Sequence, residues 1–117
     1  MTLTTVIQEA KKWTAKEQSE FCRFISQNIT IRIRDILSYK DTPADKKLGA
    51  IKWLNEFHHR INNIKFEIEY SLGTSCRIEL LGKHATHYAK QNKLTAGHMS
   101  EILIDSYHSV KDNQNPN

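Results

Sequence analysis

The stretch Thr42 to Leu72, TPADKKLGAIKWLNEFHHRINNIKFEIEYSL, decides the fold. It opens with Thr42 ahead of Pro43, a side chain suited to capping a helix before a residue suited to its first position. Leu48, Ile51, Leu54, Phe57, Ile61, Ile64, Ile68 and Leu72 then recur every three or four residues, the spacing of one helix face, and Gly73 is placed to stop the helix. Within it, Ile64 to Tyr70 also alternates apolar with charged residues. That segment could pair across Leu72 to Ser75 with Cys76 to Leu80 as a hairpin, which would make the chain α+β instead of all-α.

Upstream, Val6, Ile7, Ala10 and Trp13 form a short apolar stripe that ends at Thr14-Ala15-Lys16-Glu17, a capping-box pattern. A second helix is expected from about Ala15 to Tyr39, carrying Phe21, Phe24, Ile25, Asn28, Ile29, Ile33, Ile36 and Leu37 on one face. The alternation Ile29 to Arg34 is strand-like taken alone, but the longer helical register continues on both sides of it. Downstream, Ile78, Leu81, Ala85 and Tyr88 predict a helix to about Gln91. Met99, Ile102, Leu103, Ser106, Tyr107 and Val110 predict a last one after Thr95. The expectation is one all-α domain of four or five helices over residues 1–110. The polar tail Lys111 to Asn117 is expected to be disordered.

Composition narrows the classes of function. Four Gly and two Pro in 117 residues suit long elements and few turns. The chain carries 17 Lys and Arg against 13 Asp and Glu, and residues 1–60 hold the whole excess, with 11 basic and 7 acidic groups. Gly82 to Ser100 has three Lys and three His and no acid, a second, local basic patch. The two cysteines, Cys22 and Cys76, sit beside apolar neighbours and read as small buried hydrophobes. The start MTLTTVIQEAKKW turns polar too early for a secretory signal, and no run reaches the ~18 apolar residues that suggest a membrane span. A cytoplasmic location without a membrane partner is expected.

No catalytic signature emerges, and neither a catalytic residue nor a cofactor is nominated. The four glycines are dispersed and build no phosphate loop, and no Ser or Cys has a nucleophile's setting. Glu56-x-x-His59 with Asp105-x-x-His108 has the spacing of half a carboxylate/His metal site, but Glu9, Glu20 and Glu79 fit no core register that would complete it. His84-x-x-His87 lacks a third ligand. For nucleic acid, the last two helices could be read as a helix-turn-helix with His84, His87, Lys90, Lys93 and His98 near the turn, or Arg32, Arg34, Lys46, Lys47 and Lys52 could meet backbone phosphate. The carboxylates Glu101 and Asp105 oppose the first version.

The segment Lys47 to Ile61, KLGAIKWLNEFHHRI, resembles small helical bacterial proteins with an apolar-Lys-Trp-Leu/Ile-Asn-Glu core followed by His-Arg. That resemblance implies a helical bacterial protein and no assigned activity. Protein binding is the leading expectation, in the manner of an immunity protein, antitoxin or inhibitor that occludes a partner. Trp13, Trp53, Phe66, Tyr70 and Tyr88 offer much aromatic surface, and aromatics with Arg are the usual anchors of interfaces. Trp53 falls one position off the apolar stripe, so Trp53, His58, Arg60, Lys52, Arg32 and Arg34 are the expected partner-binding residues. An acidic or neutral protein, or a second copy of the chain, would suit the +4 charge.

Overall fold

The chain forms five helices: α1 (Leu3–Ala10), α2 (Ala15–Ser38), α3 (Ala44–Glu69), α4 (Thr74–Ala89) and α5 (Lys93–Gln114). The structure, a computed structural model, describes residues 1–70 and 74–114, with Thr74 and Ser75 described by backbone alone. No strand occurs among the described residues, and Ile64 to Glu69 and Cys76 to Leu80 are helical, with Tyr70 the cap of α3, so the hairpin alternative is overturned. Ile64 and Ile68 explain why. They lie in register with Leu54, Phe57 and Ile61, and all five are buried together, a burial that strand alternation would break. Leu72 and Gly73 fall outside the described residues.

Local signals set most boundaries. At the start of α2 the Glu17 N–H donates to Thr14 Oγ1 (3.2 Å) and the Thr14 N–H donates to Glu17 Oε1 (2.9 Å), completing the capping box. The Thr14 N–H, first among the causes, holds the Glu17 carboxyl below its ordinary pKa. Gln114 Nε2 also donates to Glu17 Oε2, tying the end of α5 to the start of α2. α5 begins at Lys93, ahead of the expected start, because the Asn92 side chain accepts from the Thr95 N–H at 2.7 Å. It runs on through Gln114, past the expected limit at Val110, and residues 115–117 lie outside the described set. Thr42 caps nothing. Pro43 itself is the cap residue, with ψ at 142°, and its carbonyl accepts from the Lys46 and Lys47 N–H groups.

α2 packs between α3 and α5, α4 closes against α3 and α5, and α1 lies across α4 and α5. One core unites them, with Phe21, Ile25 and Ile29 of α2 meeting Leu54, Phe57 and Ile61 of α3 and Met99, Ile102 and Leu103 of α5. Trp13 seals one end, edge-on to Phe21 at 5.4 Å and stacked on Tyr107 at 5.5 Å. Beside it, Gln18 Nε2 donates to the Ala10 carbonyl at 3.0 Å, satisfying a C-terminal acceptor of α1 with a buried amide. Two ends of the expected stripes leave the core: Leu37 and Leu48 are exposed, and Ala50 takes the buried place near the start of α3. Cys22 is buried as expected, but Cys76 is exposed, and both are free thiols. None of the described helices is long and apolar enough to cross a membrane.

Candidate functional site

The expected partner-binding residues divide into separate groups. Lys52, Trp53 and Arg60 gather at the α3–α4 boundary around Tyr88, a residue the core buries almost completely. The Trp53 and Phe57 rings each stand 6.1 Å from the Tyr88 ring, His87 meets its edge at 4.9 Å, and Arg60 Nε donates to the Tyr88 hydroxyl at 3.5 Å. Lys52 Nζ sits 4.8 Å from the centre of the Trp53 ring. Trp53 is thus half-buried, packed against the core, with the Lys52 ammonium over its ring. His84 stacks on the same tyrosine, and burial first, then Arg60 and His87, holds its pKa below the ordinary value.

His58 does not join this group. Two residues from Arg60, it points about 200° around the helix, and it is half-buried, with burial and then neighbouring His59 lowering its pKa. Arg32 is engaged elsewhere, bridging α2 to α5 through Glu101 (2.5 Å) and Asp105 (3.2 Å). Arg34 is exposed on another face of α2. Of the cations considered for phosphate backbone, Arg32 is therefore paired with carboxylates, and Lys47 donates to the Tyr39 carbonyl at 2.5 Å. The helix-turn-helix reading loses His98, which lies in the interior against Tyr39. The proposed metal constellation is not assembled: Asp105 is held by Arg32, and the described residues contain no group of three or more His, Cys, Asp or Glu side chains able to share an ion.

Sequence reasoning counted Phe66 and Tyr70 among the aromatic surface and nominated Lys52, but it did not join them into one surface, the outer face of α3. Phe66 and Tyr70 are 58% and 65% exposed, and their rings pack against each other, tilted by 36°, with centroids 4.4 Å apart. Leu48, Lys52, Asn55, His59 and Asn62 are exposed in the same row, at three- and four-residue intervals, opposite the buried Leu54, Ile61 and Ile68. At 1.5 Å per residue the row spans roughly 33 Å from Leu48 to Tyr70, apolar at both ends and polar in the middle, with no carboxylate in it. The signal was present in the numbering: Phe66 lies about 160° around the helix from Ile68 and so cannot share the core stripe. No protein-family model matches the chain, and comparison with curated proteins and with solved structures finds no similar protein.

Proposed function

We propose that this chain is a non-catalytic protein-binding module whose working surface is the outer face of α3, anchored by Phe66 and Tyr70. The observation that carries the reading is the exposed pair of aromatic rings in mutual contact. Single exposed apolar side chains are ordinary, but two adjoining exposed rings form a contiguous apolar patch of the kind that marks interaction surfaces. Aromatic side chains lose little rotamer freedom on docking and dominate the energetics of interfaces. Lys52 and His59 along the row, with the overall charge of +4, favour an acidic or neutral protein partner.

Occlusion of a partner by this surface, in the cytoplasm and in the manner of a bacterial immunity protein, antitoxin or inhibitor, is the form of activity we assign. Self-association through the same face would use the same anchors. The test is capture from native lysate by tagged chain, compared with the Phe66→Ser/Tyr70→Ser variant, with sedimentation of both to read self-association. Loss of a captured protein, or of a dimer, in the variant supports the proposal. A strictly monomeric protein with identical capture profiles for the two would overturn it.

A further inference from the structure

A second surface, distinct from the α3 face, lies where α1 crosses α4. A groove of about 710 Å³ runs between them, floored by Leu3 and Ile7 of α1 and Gly82 of α4, with Thr86, Lys83 and Lys90 along its other wall. Its size falls within the range of small-molecule sites. We propose that this groove binds an amphipathic anion, a free single-chain carboxylate of about the length of dodecanoate.

The charge on its walls gives the sign of the ligand. Glu79 is the only carboxylate in the described lining, and Lys11 already bonds it at 2.7 Å. Lys83, His87 and Lys90 stand four and three residues apart, on one side of α4, and among the described residues neither lysine forms a salt bridge, although Glu79, held first by Lys11, also feels the charge of Lys83. These are the groups of the acid-free run Gly82 to Ser100, so that run becomes a cationic rim. The floor gives the ligand its apolar part. Gly82 brings only a bare Cα, Ile7 rests directly on it, and Thr86 turns its hydroxyl back to the Gly82 carbonyl at 3.0 Å, leaving that hydroxyl already engaged. From Glu79 to Lys90 the wall extends about 16 Å, the reach of an extended dodecanoate chain. A carboxylate at the lysine rim and an alkyl chain along Leu3 and Ile7 satisfy both halves of the groove.

Titration of the isotope-labelled full chain with monomeric dodecanoate, followed by amide chemical shifts, tests this directly, with dodecyltrimethylammonium and a short poly-glutamate peptide as parallel probes. The expected result is saturable shifts confined to α1 and to Glu79–Lys90 for dodecanoate. Lys83→Glu/Lys90→Glu should weaken dodecanoate by about tenfold and turn the preference toward the cationic surfactant. Leu3→Gln, which keeps the rim intact, should weaken dodecanoate as well. The proposal is overturned by any of four results: no saturable shift, equal shifts with both surfactants, shifts centred on Phe66 and Tyr70, or a response to poly-glutamate alone. Shifts with anionic vesicles but not with monomeric dodecanoate would likewise overturn it in favour of a membrane surface. An empty groove leaves the protein-binding reading, which rests on α3, untouched, whereas shifts at Phe66 and Tyr70 would move the ligand to that face.

Discussion

The Tyr39 hydroxyl lies 3.1 Å from His98 Nε2, joining the C-terminal end of α2 to the second turn of α5 inside the protein. The other ring nitrogen, Nδ1, is buried and has no hydrogen-bond partner among the described residues. Burial, then Arg32, holds the His98 pKa below its ordinary 6.5, against the opposing pull of Glu101 and Asp35.

Because the folded pKa is depressed, the unfolded chain binds the proton more readily. The stability linked to His98 is full above about pH 6.5 and is lost as the pH falls below that value and through the lowered folded one. His58 and His84 are shifted in the same direction and add to the loss. Urea midpoints should therefore drop between pH 7.5 and pH 5. His98→Gln should shrink the drop without removing it. Tyr39→Phe, which deletes one hydrogen bond, should cost about 1 kcal/mol at neutral pH.

Truncation should separate the two kinds of aromatic. Phe57 is fully buried against Tyr88, so Phe57→Ala should destabilise by roughly 3–5 kcal/mol. Phe66→Ser and Tyr70→Ser act on exposed rings and should each change stability by no more than about 0.5 kcal/mol. Chemical denaturation of the three variants checks this. A large loss for Phe66→Ser would mean that the ring belongs to the core and not to a binding face.

The same contrast shows what the sequence could and could not reveal. Periodicity located the buried faces of α4 and α5 residue by residue, from Ile78 to Tyr88 and from Met99 to Val110, because a helix covered on one side repeats its apolar positions without exception. It failed where a repeat of three or four residues drifts off the buried face. Leu48, six residues before Leu54, lies about 120° around α3 from it, Leu37 lies about 100° around α2 from Ile36, and both are exposed near the α2–α3 connection. Thr42 carried a capping signal that the proline beside it displaced by one position. Among the nominated surface residues, spacing along the chain said nothing of partners across it, so the Arg32 pairing with Glu101 and Asp105 and the Tyr88 hub under Trp53 became visible only once the helices were packed.

The thiols should report the fold independently. Cys22 is buried and its pKa is pushed up to about 12 by that burial, whereas Cys76 is exposed. Since the thiolate is the reacting form, a disulfide reagent at pH 8 should modify Cys76 quickly and Cys22 only on unfolding. Ellman titration of the native protein should give one fast thiol, and Cys76→Ser should remove it. Two fast thiols in the native protein would contradict the packing of α2.

The crossing of α1 over α4 can be tested through Gly82. A Cβ built there would stand 3.1 Å, 3.2 Å and 3.4 Å from Ile7 Cγ1, Cγ2 and Cδ1. Because a β-branched side chain in a helix has essentially one rotamer, Ile7 cannot swing away, and α1 must shift instead. Gly82→Ala gains about 1 kcal/mol of helix propensity but incurs an overpacking cost of roughly 1–3 kcal/mol, so a net loss of about 1 kcal/mol is expected. Ile7→Ala removes the three contacting atoms. In that background the same Gly82→Ala change should become stabilising by up to about 1 kcal/mol, the propensity gain alone. The double-mutant cycle, read by urea denaturation, should therefore show a change of sign. Additive effects would mean that the two helices do not touch at Gly82.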